Sequence, residues 1–238
     1  MPSTTDRAIA RMRQMVVTGE LSPGERLPAE AELARMLGVS RNSLREAVAA
    51  LELVRVLDVR RGAATYVTSL APDVLSEALA FVLDLHRDDS LLEIFEVRKV
   101  LEPYATGLAA TRLDDDAFAQ LEAELASIDA AAPIEAIVAH DLAFHRVIAA
   151  GCGNSYLTGL LDAMAPPTVR ARTWRGITQA DAPERTICEH RAIFAALRAG
   201  DAALAQSWAT IHIAGVESWL RQAAEAPGGP RDAQSPET

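Results

Sequence analysis

Cysteine is nearly absent: the chain has two in 238 residues, Cys152 and Cys188, isolated and without CxxC spacing. That excludes a disulfide scaffold and a cysteine-ligated zinc motif, and the expectation is two free thiols in a reducing cytoplasm. No run of 18 apolar residues occurs, so no membrane span is expected. The first residues, MPSTTDRAIARMRQ, lack the apolar centre of a signal peptide. Aromatics are 5% of the chain and runs of Val, Ile, Thr and Tyr are scarce, which argues against an all-β fold. What remains is half hydrophobic and rich in alanine, enough to bury a sizeable core and strongly helical in composition. The length suits one large domain or two smaller ones.

Positive charge is also short, with a net charge of −10, and it is unevenly placed. Residues 1–69 hold 10 Arg against 8 Asp and Glu; residues 70–238 hold 13 Lys and Arg against 25 acids. A mildly basic head therefore precedes a strongly acidic body, which implies two tasks.

In the head, a helix is predicted over 5–18, with Ile9, Met12, Val16 and Val17 near one face. GELSPGERLP is a turn cluster, and Pro28 suits the start of a second helix over about 28–36. Gly38 permits a tight turn, and Ser40 is an N-cap for a third helix over 41–54. VLDVRRGAATYV then reads as two short strands, which makes a winged helix-turn-helix. In such a motif the N-terminal residues of the second helix of the pair face the bases. Here these are Ser40, Arg41, Asn42, Ser43 and, one turn on, Arg45. Arginine pairs bidentately with guanine, and Ser and Asn bond phosphates or bases.

LAPD (70–73) reads as a hinge. Helices are predicted near 73–86, 90–111, 115–131, 134–150, 154–175, 182–199 and 201–224, with Pro166-Pro167 kinking or splitting the fifth. The tail from 225 to 238 is Pro/Gly-rich and expected to be disordered. The predicted fold is thus mainly α: a winged helix-turn-helix (1–69) followed by an antiparallel all-helical bundle of six or seven helices (74–224).

The body places polar residues where apolar ones belong. Asp141 and His145 share the stripe of Ile137 and Ile148. His190 lies with Ile187, Phe194 and Leu197, and His212 with Trp208, Ile211, Gly215 and Trp219. Buried polar groups need partners. One Asp and three His from three helices satisfy one another around a divalent metal; the donor set suits zinc best, with nickel or manganese as alternatives. His86 and His140 fall off these stripes and read as ordinary surface residues. Arg98 lies on the face of Leu91, Ile94, Leu101, Ala105 and Leu108. It pairs either with an internal acid such as Glu96 or Glu102, or with an anion from outside.

The string PGERLPAEAELARMLGVSRNSLREAVAALE, followed by RRGAATYV, resembles the DNA-binding domain of the GntR family of bacterial transcription regulators. The resemblance implies operator contacts by Ser40, Arg41, Asn42 and Arg45, and a wing tip at Gly62 that enters the minor groove. Three positions depart from the family pattern: Ala31 where many relatives have a DNA-contacting Arg, Arg55 where a Gly usually ends the helix, and Ala64 where the wing commonly has Gly. The body, through EVRKVLEPYATGLAA, DLAFHRVIAAGCGN, EHRAIFAALRAGD and the His212 helix, resembles the FCD effector domain of the FadR subfamily. That implies metal binding by Asp141, His145, His190 and His212. It also implies that Arg98 holds the carboxylate of a small organic acid that reaches the metal, and that Asn154 belongs to the effector site. Arg172, Arg175 and Trp174 are further candidates to line the pocket.

The functional expectation is a cytoplasmic repressor that binds a palindromic double-stranded DNA operator as a homodimer and lets go when a small carboxylate binds. Two other readings remain open at this point: a metal-dependent enzyme built on the helical body, and a pure metal sensor.

Overall fold

The computed structural model describes residues 3–60, 64–70, 76, 79–80, 83 and 91–225. Gly62, His86, most of the hinge, most of the helix expected at 73–86 and residues 226–238 of the tail lie outside them; residues 76, 79–80 and 83 are helical. The chain divides into two compact units, residues 1–74 and 75–238.

In the first unit, α1 (Thr4–Val17) begins with a reciprocal cap: Ser3 Oγ accepts from the Asp6 amide, and the Asp6 carboxylate accepts from the Ser3 amide. Its buried face is Ala8, Met12 and Met15, so Val17, expected on that face, is 72% exposed. α2 (Glu30–Leu37) ends at Gly38, whose φ of 66° lets the Val39 amide reach the Ala34 carbonyl. The chain then turns into α3 (Arg41–Leu53), capped by Ser40 Oγ, which accepts from the Ser43 amide at 3.1 Å. β1 (Leu57–Arg60) and β2 (Ala64–Val67) pair antiparallel, Leu57 opposite Val67 and Arg60 opposite Ala64. Met12, Met15, Leu33, Leu44, Leu51, Leu57 and Val67 share one core, which ties the three helices to the wing.

The end of α3 bears on one of the sequence departures. Arg55 has φ of 57°, the left-handed conformation that favours glycine. The Val56 amide bonds the Leu51 carbonyl and the Arg55 amide bonds the Glu52 carbonyl, so the chain makes a complete Schellman turn with arginine at its tightest point.

The second unit is helical among the described residues. Its elements are α4 (Leu91–Ala109), α5 (Asp115–Ala126), α6 (Ile134–Gly151), α7 (Ser155–Met164), a 3-10 turn (Pro166–Thr168), α8 (Val169–Thr178), α9 (Ala182–Arg198) and α10 (Ala202–Glu225). Pro166 and Pro167 split the long segment into α7 and α8. α5 stops earlier than its composition suggests. Ser127 Oγ bonds the Glu124 carbonyl and Asp129 accepts from the Ala131 amide, so short polar side chains compete with the helix for its backbone. α4 and α10 pack most extensively; Ala109 of α4 shares a core with Ala205 and Ala209 of α10, all fully buried. Gly107 leaves the space that the Gln206 side chain fills.

Candidate functional site

The helical phase of α6 puts Asp141 and His145 one turn apart on the same side. α9 supplies His190 and α10 supplies His212. His190, His212 and Asp141 are buried, and His145 nearly so. Three imidazole Nε2 atoms converge on one carboxylate oxygen: Asp141 Oδ1 lies 3.2 Å from His212, 3.3 Å from His190 and 3.8 Å from His145. One donor atom from each of the four residues lies within 4.8 Å of the others, the one such group among the described residues. Ligands of a tetrahedral zinc, with Zn–N near 2.0 Å, stand about 3.3 Å apart. Nε2 of His145 and of His190 are buried without a hydrogen-bond partner. Buried donors left in that state are costly unless something joins them. The four residues therefore fit a divalent ion.

The outward sides of the rings are engaged. His212 Nδ1 meets Glu189 Oε2 at 2.9 Å, His145 Nδ1 lies 3.9 Å from Glu102 Oε2, and His190 Nδ1 meets His140 Nε2 at 3.0 Å. Phe144 stacks on His190, with centroids 4.3 Å apart and planes 11° from parallel. Asp141 Oδ2 accepts from the Arg172 guanidinium. Burial by itself would raise the Asp141 carboxyl, yet Arg172 and the surrounding imidazoles hold it well below the ordinary carboxylate value. Burial pushes His145 well below the usual imidazole value and takes His190 down to about 4, against the pull of Asp141. His212 behaves oppositely: burial opposes its charge, but Asp141 and Glu189 together raise it. Two neutral rings and one ionised carboxylate are the state a cation needs.

The cluster forms a wall between two cavities. On the His145 side a cavity of about 430 Å³ is lined by Arg98, Glu102, His145, Arg146, Asp162 and Arg172, among others. On the His212 side a small one of about 30 Å³ touches Asp141, Arg172, Arg175 and Thr186. Arg98 is 1% exposed; its Nε donates to Glu102 Oε1 at 2.6 Å and its Nη1 to Thr168 Oγ1 at 3.1 Å. Of the two acids considered as its partner, Glu102 is the one used, while Glu96 pairs with Arg221. Arg172 is depressed to about 10 by its burial and by Arg98 nearby, and it borders both cavities.

In the first unit, Arg41, Asn42 and Arg45 are exposed along the start of α3. Arg45 is not idle: its Nε donates to Glu30 Oε1 at 2.9 Å. Ser40 Oγ serves the helix cap and lies 3.0 Å from Ser43 Oγ.

Residues 4–67 match the family of bacterial regulatory proteins named gntR, and residues 93–215 match the FCD domain. The chain belongs to the GntR family, in its FadR subfamily. The HTH-type transcriptional regulator LutR of Bacillus subtilis (strain 168) is 30% identical over 213 residues, covering 87% of this chain and 96% of LutR. The galactonate operon transcriptional repressor of Escherichia coli (strain K12) is 32% identical over 228 residues, covering 92% and 97%. A solved structure of Streptococcus agalactiae GntR matches with a TM-score of 0.61 and 28% identity, covering 90% of this chain and 99% of that one. The GntR relatives are transcription regulators, which sets the enzyme reading aside. Among the described residues no helix is long and apolar enough to cross a membrane.

Two sequence expectations for this GntR regulator need correction, those for His140 and Ile211. His140, read as a surface residue, is 4% exposed and bonded to His190. Its position one residue before Asp141 is rotated about 100° from the ligand stripe; α6 is covered on that flank too, by α5 and α9. Asn154, assigned to the effector site by resemblance, is exposed and caps α7, accepting from the Leu157 amide at 3.2 Å. Ile211, placed on the His212 stripe, is 45% exposed, because the buried face of α10 runs through Ala205, Ala209, His212, Ile213 and Val216. Trp174, a candidate pocket residue, packs edge-on against Trp219, with centroids 5.4 Å apart. Glu189, in contrast, was missed as a partner of His212, although the string EHR placed it beside His190.

Proposed function

We propose that this GntR regulator is a metal-containing, carboxylate-responsive repressor. The observation that carries the reading is the convergence of three imidazole Nε2 atoms on Asp141 Oδ1, beside a cavity lined by Arg98 and Arg172. Asp141, His145, His190 and His212 would hold the ion, zinc by donor chemistry, with nickel or manganese also compatible. When bound, the ion supplies a Lewis-acid site for one carboxylate oxygen of the effector. Arg98 and Arg172 offer the cavity two guanidinium groups, suited to a carboxylate bidentately. For Arg98 this means sharing or giving up its bond to Glu102. The effector class is a small organic acid, and the E. coli relative is named for galactonate, itself a sugar-acid carboxylate. Asn154 joins the effector set only by releasing the Leu157 amide that it caps.

DNA recognition falls to residues 1–69, through Ser40, Arg41, Asn42, Ser43 and Arg45 and, by the family resemblance alone, Gly62. Arg45 exchanges its bond to Glu30 for the operator. One such module makes few base contacts, so the working form is a homodimer on a palindrome. The acidic body, residues 74–224, is repelled by phosphate and leaves the heads to meet the duplex. A ligand that binds the DNA-free state better than the DNA-bound state lowers operator affinity; coupling of about 1–3 kcal/mol is typical.

The test selects an operator from a random duplex pool with the full chain. Gel shifts then follow with small carboxylates, with zinc and with a chelator. Release by a carboxylate only in the zinc-loaded protein is expected. Release by chelation alone, with every acid inert, would establish a pure metal sensor instead. Arg45→Ala is expected to abolish the shift with helical content unchanged.

A further inference from the structure

Each imidazole of the cluster turns Nε2 to the centre and Nδ1 outward, but the outward partners differ in kind. His212 and His145 face carboxylates. His190 faces another imidazole, His140, at 3.0 Å. A hydrogen bond between two ring nitrogens holds one proton, so its direction fixes the tautomers of both rings. If His190 donates from Nδ1, its Nε2 presents a lone pair to the centre. If His140 donates from Nε2, the His190 proton sits on Nε2 and points at Asp141 Oδ1, 3.3 Å away, where a cation belongs.

Without a cation Asp141 Oδ1 favours the second arrangement and the far side of His140 the first; with a cation at the centre only the first remains. His140 Nδ1 is buried and makes no hydrogen bond; Glu124 Oε2 lies 3.5 Å from it, close enough for its charge to act on the ring. In the first arrangement that nitrogen carries a proton toward the carboxylate, which is attractive. In the second it turns a lone pair toward a negative charge, which is repulsive. His140 is otherwise boxed in, buried and tilted against Phe144, so it has no other carboxylate in contact within the described residues. Glu124, on α5, is one-third exposed.

We propose that Glu124, acting through His140, holds His190 in the tautomer whose Nε2 lone pair faces the ion. Glu124 and His140 are positioning residues, and the claim rests on the metal-centre reading above. His190 has no carboxylate of its own; the pair of residues reproduces at one remove the carboxylate–histidine support that orients metal-bound imidazoles.

Two readouts test this on the full chain. In metal-free protein labelled with 15N-histidine, long-range proton–nitrogen correlations assign the His190 tautomer. Zinc affinity follows from competition with a chromophoric chelator. Wild type is expected to show His190 protonated on Nδ1. Glu124→Ala is expected to move the proton toward Nε2 and to weaken zinc by about 10-fold. Glu124→Gln keeps an acceptor oxygen and is expected to retain the tautomer and most of the affinity; a merely structural role for Glu124 would leave the His190 tautomer unmoved in Glu124→Ala as well. His140→Phe is expected to weaken zinc like Glu124→Ala; should it not fold, Glu124→Ala decides. A wild-type His190 protonated on Nε2, or a Glu124→Ala variant with unmoved tautomer and zinc affinity within twofold, overturns the proposal. A wild-type chain that takes no zinc removes the metal reading, and the tautomer response then judges the Glu124 chain by itself.

Discussion

Arg98 shows how much a single residue depends on its surroundings. A guanidinium at 1% exposure is tolerable only because Glu102 and Thr168 receive it. Arg98→Met is expected to strand the Glu102 carboxylate and to cost about 3–5 kcal/mol in chemical denaturation. Adding Glu102→Gln to that variant is expected to recover a good part of the loss; no recovery would mean that packing rather than charge sets the cost. At His190 the expectation is chemical. His190→Ala removes a donor atom outright, so zinc affinity is expected to fall by more than the roughly 10–100-fold typical of losing a supporting group. Elemental analysis after dialysis would read this as lost metal, and unchanged stoichiometry would remove His190 from the site. Spacing along the chain pointed to His145, His190 and His212 as inward-facing. Spacing already favours Glu102, one turn from Arg98, over Glu96, which is two residues away on the opposite side of α4; it could not reveal that Thr168, seventy residues on, completes the partnership.

At the scale of the element, the head shows capping chemistry at work. Ser3, Gly38 and Ser40 each stand where helix ends need an acceptor or a left-handed turn; the roles of Gly38 and Ser40 were readable from order alone. Arg55 is the exception. It occupies a left-handed position at a cost of about 1–2 kcal/mol for an L-residue. Glycine there recovers the strain and gives back part of it in chain entropy. Arg55→Gly is therefore expected to stabilise the protein by about 0.5–1 kcal/mol, measured by urea unfolding; a loss of stability would show that the arginine side chain contributes more than its backbone costs. In the body, the early end of α5 escaped the helical period because Ser127 and Asp129 act on the backbone, and apolar spacing does not register that competition.

For the whole molecule, the ligand cluster joins α6, α9 and α10 through His145, His190 and His212, which lie tens of residues apart along the chain. An ion held there binds the folded state and not the unfolded chain, so it links helices that would otherwise part on heating. At 100 times its dissociation constant the stabilisation is about 2.7 kcal/mol. For a domain of this size that raises Tm by about 5–10 °C. Chelation is expected to reverse the shift, and a melting point indifferent to both zinc and chelator would count against an ion bridging the three helices. A carboxylate effector that fills the cavity beside Arg98 is expected to add its own increment only when zinc is present.

By itself the sequence determined the division into a basic head and an acidic body, the ends of most helices, the family, and the four inward-facing donors. These follow from local rules: a cap acts on its own turn, and a stripe is set by the helical period. Tertiary structure alone decided that His140 is buried, that its partner across the bundle is His190, that Glu189 supports His212, and that Thr168 joins Glu102 on Arg98. Those facts depend on how each helix is rotated against its neighbours. That rotation is settled by the packing of several faces at once, among them the alanine seam of α4 and α10 and the ring of Phe144 on His190, and no single stretch of sequence carries it.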